Sequence, residues 1–312
     1  MQKKNKIIID CDPGHDDAIA LLLAFSSEKL DVLGVTVTGG NQTLEKTLQN
    51  AKNVLEYVKT EVPICEGLEK PLFRNLEIAP SVHGETGLDG PAFIKSEKET
   101  HNKSAIEFIR DTLEKSKESI TIVATGPLTN IGAFLISYPK LKHKIKEIVI
   151  MGGAVIGGNW SASAEFNILV DPEAAHIVFN SGIKMVMAGL DVTHKALIYP
   201  DEIEEIRKIN HPVSTLVAEL LDFFIIFHKN QGFKGAPLHD PCTIAYLIKP
   251  EIFTSKEYFV DIETDGEYTT GSTVVDQNNI LCRDPTTLVL LDIDQKEFFS
   301  IIYDAMLEYK RR

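Results

Sequence analysis

Four aspartates within eight residues, Asp10, Asp12, Asp16 and Asp17, are the clearest sign of chemistry in this sequence. Two carboxylates 4 Å apart would repel each other by about 4 kcal/mol at an effective dielectric constant near 20. A helix N-terminus offsets only about 0.3 to 1 kcal/mol per charge, so the cluster predicts a bound cation. Oxygen donors select a hard cation. Calcium accepts bidentate carboxylates and up to about eight ligands, whereas magnesium needs stricter octahedral geometry.

A single aspartate of this cluster could simply cap a helix, because acidic side chains accept hydrogen bonds from the first helical N–H groups. A cap needs one acid and this stretch has four, so capping alone does not explain the cluster. Asp10 and Asp12 follow an apolar run directly, which is also typical of phosphatases that form an aspartyl-phosphate. That class is the first enzymatic alternative.

Further polar side chains follow the predicted strands or lie in later loops. These candidates are Asn41, Thr125, Met151, Asn159, Glu165, Asn167, His239 and Asp240. In an open parallel sheet, ligands bind outside the carboxyl ends of the strands. We therefore expect these residues to gather around one site at that edge.

Short β-branched runs alternate with helical patterns along the chain. Strands are predicted at residues 7–9, 32–37, 120–124, 148–151 and 185–187, with later candidates at 258–262 and 273–275 that could be antiparallel. Helices are predicted at residues 18–25, 44–58, 127–136, 172–180 and 216–227, and loops at 96–103 and 160–167. The alternation predicts an α/β fold with an open, mostly parallel, Rossmann-like sheet covered by helices on both faces.

The chain has 312 residues, 44% hydrophobic and 25% charged, which is typical of a folded globular protein and not of a disordered one. No break in composition suggests a domain boundary, so we expect one domain over residues 1–312. The net charge of −13 is the wrong sign for nucleic acid or an anionic membrane.

The four cysteines are scattered without a CxxC motif, which indicates neither a zinc site nor a disulfide framework. The apolar run at residues 7–9 is too short for a secretory signal, and no stretch is long enough to span a membrane. A cytoplasmic location is expected. The sequence contains no GxSxG, HExxH or Gly-Lys motif and no GxGxxG spacing, so several common enzyme classes lack support.

The stretch Asp10-Cys-Asp-Pro-Gly-His-Asp-Asp17 resembles the N-terminal motif of the nucleoside hydrolases, the inosine-uridine-preferring N-ribohydrolases. The resemblance covers roughly residues 6 to 290. It continues through segments 40–43, 83–90, 125–130, 150–153, 164–167, 171–175 and 239–242. It implies the nucleoside hydrolase fold and cleavage of the N-glycosidic bond of ribonucleosides to free base and ribose, with tightly bound calcium.

Carried over residue by residue, the resemblance implies four calcium ligands and a set of substrate contacts. Calcium would be held by Asp12, Asp17, the main-chain carbonyl of Thr125 and Asp240, and Asp10 would lie behind them. Asp12 would also be the general base for a calcium-bound water that attacks C1′ of the ribose. The resemblance places Asp16, Asn41, Asn167 and Met151 against the sugar, and Asn159 and Glu165 at the 5′-hydroxyl. The acids would stabilise a transition state resembling an oxocarbenium ion.

Other residues are expected to contact the leaving base. The resemblance implies His239 as the catalytic residue near the base and His83 as a second residue there, whereas His15 is expected to be structural. Phe223, Phe224, Phe227, Phe233 and Trp160 could stack on a base, although periodicity predicts that about half of the phenylalanines at 223–227 are simply buried in a helix.

The expected substrates are ribonucleosides with broad or inosine-uridine preference, and a pyrimidine-preferring hydrolase is the alternative. Members of the pyrimidine-specific branch place a glutamine and a tyrosine near the base. In an ungapped comparison those positions fall on Phe227 and Gln231 here. The resemblance also implies a homo-oligomer, a dimer or tetramer, that serves nucleoside salvage or catabolism. A non-catalytic protein that binds a sugar or nucleoside remains a second alternative from another class.

Overall fold

The computed structural model describes residues 3–93 and 95–312 of the chain. Its strands are β1 Asn5–Cys11, β2 Leu30–Val37, β3 Ile64–Glu66, β4 Ile120–Ala124, β5 Ile145–Met151, β6 Met185–Ala188, β7 Leu197–Ile198, β8 Ala236–Pro237, β9 Phe253–Tyr258, β10 Val260–Ile262, β11 Thr273–Val275 and β12 Thr287–Ile293. Its α-helices are α1 His15–Ser26, α2 Leu44–Val58, α3 Pro80–His83, α4 Ala105–Lys115, α5 Thr129–Ser137, α6 Phe166–Val170, α7 Pro172–Phe179, α8 Leu190–Thr193, α9 Pro200–Lys208, α10 Pro212–Asn230, α11 Pro241–Ile248 and α12 Gln295–Arg311. Short 3₁₀ helices cover Pro139–Lys144 and Pro250–Ile252.

Eight strands of the described chain form one twisted sheet in the order β3-β2-β1-β4-β5-β6-β12-β9. The pairs from β3 to β12 are parallel, and only β9 runs antiparallel to its neighbour β12. The predicted open, mostly parallel α/β sheet is therefore confirmed. The antiparallel pairs β10–β11 and β7–β8 lie outside it.

The sheet is buried on both faces because its strands alternate their side chains between two hydrophobic cores. Ile7 and Ile9 of β1 belong to one core, and Ile8 belongs to the other. Helices α1, α2, α10, α11 and α12 contribute to the first core, and α4, α5 and α7 to the second. This arrangement explains why the central strands are continuous apolar runs.

Helix α1 has apolar residues on every side, from Ala18 to Ala24, because it is enclosed by the sheet and by α2, α11 and α12. Its first turn carries Asp16 and Asp17, so the acids of the N-terminal motif stand on one of the most buried elements of the fold. The rigid surroundings of α1 hold those carboxylates in place at the carboxyl edge of β1.

Most predicted elements are found, with three differences. Residues 258–262 are divided between two strands, β9 and β10, that belong to different sheets. Pro127, expected in the first helical turn of α5, instead precedes the N-cap residue Leu128. The expected loop at 160–167 runs into helix α6, whose N-cap is Glu165. In the described part of the chain, no helix is both long enough and apolar enough to cross a bilayer.

Candidate active site

An open cavity of about 330 Å³ lies beside the carboxyl ends of β1, β2, β4 and β5. Ten of the twelve sequence-predicted site residues line it: Asp16, Asn41, His83, Thr125, Met151, Asn159, Glu165, Asn167, His239 and Asp240. The other two, Asp12 and Asp17, are fully buried and hydrogen-bonded to the lining residue Asn41. The polar strand ends thus converge as the parallel topology requires.

Three carboxylates cluster at this cavity, with Asp16 and Asp240 lining it and Asp17 buried beside them. One oxygen from each of Asp16, Asp17 and Asp240 lies within 4.8 Å of the other two, and all three residues are buried. Asp16 and Asp17 come from the first turn of α1, and Asp240 precedes α11 directly. The starts of two helices therefore bring these acids together.

Asp12 lies beside that cluster with one oxygen held and one free. Its Oδ2 accepts a hydrogen bond from the backbone N–H of Asn41 at 2.6 Å. Its Oδ1 is buried and has no hydrogen-bond partner among the described residues. A β-carbon at Gly40 or Gly126 would overlap the Asp12 carboxylate, so glycine at both positions lets the two loops close around it.

Asp17 is the most extensively bonded acid of the group. It accepts hydrogen bonds from the backbone N–H of Gly14 at 3.0 Å, from the Thr125 hydroxyl at 2.7 Å and from the Asn41 side-chain amide at 3.1 Å. These donors come from the ends of three neighbouring strands. The carboxylate of Asp17 thereby connects the loops that follow β1, β2 and β4.

The electrostatics of the cluster favour a positive partner. Burial and repulsion from Asp17 raise the pKa of Asp12 well above its usual range, and burial raises the pKa of Asp16 to about 7. Within the described residues, no Lys or Arg forms an ion pair with any of these acids or lines the cavity. An all-oxygen donor set with an orphaned buried carboxylate oxygen fits a hard divalent cation.

Asp10 does not line the cavity. Its Oδ1 accepts hydrogen bonds from the Thr36 hydroxyl at 2.5 Å and from the Asn130 amide at 2.9 Å, and the residue is fully buried. Burial raises its pKa to about 7. A nucleophile that forms an aspartyl-phosphate must reach its substrate, so this position does not favour the phosphatase alternative.

Asn167 and Glu165 also line the cavity, and their side chains already form hydrogen bonds within the protein. The side-chain amide of Asn167 donates to the main-chain oxygen of Thr125 at 2.8 Å and to that of Met151 at 3.2 Å. Glu165 accepts from the backbone N–H groups of Gly153, Asn167 and Ile168, while burial raises its pKa to about 7. These contacts leave the side-chain oxygen of Asn167 available to a ligand.

Histidines and aromatic rings form the other end of the cavity. Nδ1 of His239 lies 2.8 Å from the Thr193 hydroxyl. Nδ1 of His83 lies 3.2 Å from Nδ1 of His15 and 3.3 Å from the backbone nitrogen of His15. Burial lowers the pKa of both His83 and His239 well below the usual range, so these rings are neutral.

His15 is fully buried, as expected for a structural residue. Its Nε2 donates to the backbone carbonyl of Asp89 at 2.8 Å, and its ring stacks on Phe223 with centroids 4.9 Å apart. Phe223 therefore packs against a histidine rather than lining the cavity. Phe224, Phe227, Phe233 and Trp160 do line it, and so does Gln231.

Two cavity histidines, His194 and His228, were not predicted from the sequence. His228 lies four residues after Phe224 on α10, so both face the same side of the helix. That spacing is the one signal that could have found it. His194 is the C-cap residue of the short helix α8, and no pattern in the sequence predicts its place in the cavity.

Comparison with known proteins agrees with this geometry. Residues 7–300 match the sequence profile of the family described as inosine-uridine preferring nucleoside hydrolase. The chain is 54% identical over 306 residues to pyrimidine-specific ribonucleoside hydrolase RihA from Escherichia coli O1:K1 and to RihA from Klebsiella pneumoniae subsp. pneumoniae, covering 97% of this chain and 98% of each relative. The solved structure of a purine-preferring ribonucleoside hydrolase from Gardnerella vaginalis superposes with a TM-score of 0.92 at 31% identity, covering 99% of this chain and 100% of the other.

These matches span nearly the whole chain and include the loops that carry the buried acids. The predicted enzyme class and the predicted fold are confirmed by them. This chain therefore belongs to the inosine-uridine preferring nucleoside hydrolase family, and it is a ribonucleoside hydrolase.

Proposed function

We propose that this enzyme hydrolyses the N-glycosidic bond of pyrimidine ribonucleosides, releasing ribose and the free base, with calcium as its resident metal. The observation that carries the proposal is the polarity of the cavity. Buried acids form one end, and neutral histidines with aromatic rings form the other. A ribose in a cationic transition state suits the first end, and an uncharged base suits the second.

Calcium would be held by Asp12, Asp17, the main-chain carbonyl of Thr125 and Asp240. The fit is supported by the orphaned Oδ1 of Asp12 and by the absence of ion pairs to these acids in the described chain. Calcium is favoured over magnesium because it accepts more ligands and a less regular geometry. When bound, it would bind and polarise a water molecule and the 2′- and 3′-hydroxyls of ribose.

Asp12 is assigned as the general base. The Asn41 N–H fixes the orientation of its carboxylate, and Oδ1 is the oxygen left to take a proton from the attacking water. A positioned general base contributes roughly 10²- to 10⁴-fold to a rate. Its buried position among other carboxylates strengthens its attraction for a proton.

The sugar would be held by the polar residues that line the cavity. Asp16 and Asn41 lie beside the metal ligands, and the free side-chain oxygen of Asn167 suits a ribose hydroxyl. Glu165 and Asn159 are assigned to the 5′-hydroxyl, and Met151 to packing against the ring. As the C1′–N bond breaks, positive charge develops on the ribose, and the surrounding carboxylates stabilise it.

His239 is assigned to the leaving base, with His83 beside it. The Thr193 hydroxyl has no other hydrogen-bond partner among the described residues. We assign this hydroxyl as the donor to Nδ1 of His239, which in a neutral ring places the ring proton on Nε2. Nε2 can then donate to the base as negative charge develops there.

Pyrimidine preference is supported by the 54% identical relatives, whose name specifies pyrimidines. The pyrimidine-specific branch carries glutamine and tyrosine at two positions that correspond to Phe227 and Gln231 here. Both of these residues line the cavity, with side chains that differ from those of the branch.

We further propose one domain over residues 1–312 and a homo-oligomer, a dimer or tetramer, that works in the cytoplasm in nucleoside catabolism or salvage. The four free cysteines, three of them buried, suit a reducing compartment.

Ribose release from a panel of nucleosides tests the activity and its base preference. With calcium present, uridine and cytidine should exceed inosine and adenosine by at least about tenfold in kcat/KM, a transition-state difference of about 1.4 kcal/mol. The 2′-deoxy analogues should be poor substrates. Equal rates on purines and pyrimidines would contradict the preference, and no release from any nucleoside would contradict the activity.

The variant Asp12→Asn tests the general base. Turnover of uridine should fall by roughly 10²- to 10⁴-fold because the amide cannot accept the water's proton. Nucleoside binding, measured by equilibrium dialysis, should be largely retained. Asp304→Asn, on the exposed side of α12, is the matched control and should behave as wild type. Unchanged turnover in Asp12→Asn would remove Asp12 from this role.

The variant His239→Ala tests leaving-group activation. Its kcat on uridine should fall by roughly 10²- to 10⁴-fold, and its kcat on 4-nitrophenyl riboside by far less, because nitrophenolate leaves without assistance. His143→Ala, at an exposed residue, controls for loss of a histidine as such. Equal losses on the two substrates would show that His239 acts on something other than the leaving group.

A further inference from the structure

His228 presents a single, fixed hydrogen-bonding edge. Its Nδ1 lies 2.9 Å from the backbone carbonyl oxygen of Phe224, one helical turn earlier on α10. A carbonyl oxygen can only accept, so Nδ1 must carry the proton. Burial lowers the pKa of the ring to about 4, so the imidazole is neutral. Nε2 is therefore an unprotonated acceptor.

Nε2 of His228 lies among the histidines and aromatic rings of the cavity, where the proposed function places the base. His228 is 5% exposed and lines the cavity, and its ring centroid lies 6.0 Å from that of His239 and 5.7 Å from that of Phe233. Nε2 has no hydrogen-bond partner among the described residues, whereas the opposite edge of the ring is held by the helix backbone. A ligand in the cavity is the partner that this nitrogen lacks.

The other cavity histidines differ from it. Nδ1 of His239 pairs with a hydroxyl, which can donate or accept, and Nδ1 of His83 accepts from the backbone N–H of His15. Of these partners only the hydroxyl beside His239 can change its role, because the backbone N–H of His15 can only donate and keeps the proton of a neutral His83 ring on Nε2. His228 differs from both, since a helical carbonyl can only accept and keeps the ring proton on Nδ1, so Nε2 retains its preference for a donor.

We propose that Nε2 of His228 accepts a hydrogen bond from an N–H group on the far edge of the base and thereby acts as a specificity-determining residue. This inference rests on the proposed function, because it requires the base to occupy the histidine end of the cavity. Uridine offers N3–H on that edge, and cytidine offers its exocyclic amino group. A base whose N–H is replaced by a methyl group leaves Nε2 unpaired.

The test compares uridine, 3-methyluridine and 4-nitrophenyl riboside on wild type and on His228→Phe, which keeps a ring but removes both nitrogens. Wild type should prefer uridine over 3-methyluridine by about 5- to 150-fold in kcat/KM, the range for leaving a buried polar group unpaired. In His228→Phe this ratio should approach one. The kcat/KM for 4-nitrophenyl riboside should fall much less than that for uridine.

Two further variants distinguish a loss of base recognition from a structural effect of replacing a cavity histidine. His228→Gln retains an oxygen that can accept, so it should recover part of the uridine preference. His194→Phe makes the same exchange at another cavity histidine and should keep the wild-type ratio of uridine to 3-methyluridine. An unchanged ratio in His228→Phe, with ribose still released, would overturn the role of His228. Failure of wild type to release ribose from any substrate would instead overturn the proposed function.

A measurement on the wild-type enzyme makes the result independent of whether a variant folds. The ¹⁵N NMR signal of His228 should show a protonated Nδ1 and an unprotonated Nε2. The Nε2 resonance should move when uracil is added and stay in place with 3-methyluracil. A protonated Nε2, or no movement with saturating uracil, would contradict the proposal.

Discussion

The structure depends on a concentration of negative charge that no side chain of the described chain neutralises. Asp12, Asp16, Asp17 and Asp240 are buried around one small volume, and like charges at about 4 Å repel by about 4 kcal/mol per pair. The N-termini of α1 and α11 offset about 0.3 to 1 kcal/mol per charge. The remaining repulsion calls for a cation, and we propose that the same cation binds the substrate.

The rest of the fold serves to hold these acids together against their repulsion. Helix α1 is enclosed on all sides, so its first turn cannot move away from the sheet. Glycines 40 and 126 bring two loops against the Asp12 carboxylate, and Asp17 accepts donors from three loops. Preorganised charge of this kind needs no rearrangement when positive charge develops on a ribose.

The opposite end of the cavity is neutral for an equally physical reason. Burial disfavours the imidazolium form, and neighbouring histidines disfavour it further, so His83, His228 and His239 are uncharged. A neutral ring offers one donor and one acceptor, and its hydrogen-bond partner decides which faces the substrate. In this way the enzyme separates a charged sugar end from a neutral end that recognises the base.

Much of this could be predicted from the sequence, because the relevant signals are local. The strand, turn and helix around Asp10 to Asp17 follow from β-branched runs, turn residues and an apolar helix, and parallel topology then gathers the strand ends. The order of strands could not be predicted, since β12 enters the sheet between β6 and β9 through contacts distant in sequence. Nor could His228 be assigned, because its significance depends on one hydrogen bond to a backbone carbonyl.

The most direct test of the proposed cation site is the melting temperature of the chelator-dialysed enzyme as calcium is added at neutral pH. We expect a rise that saturates, with about 2.7 kcal/mol of stabilisation when calcium reaches 100 times its Kd. Asp240→Asn should weaken the response because it removes one of the proposed ligands. A melting temperature that no divalent cation changes, together with full ribose release after chelation, would contradict a resident metal at these acids.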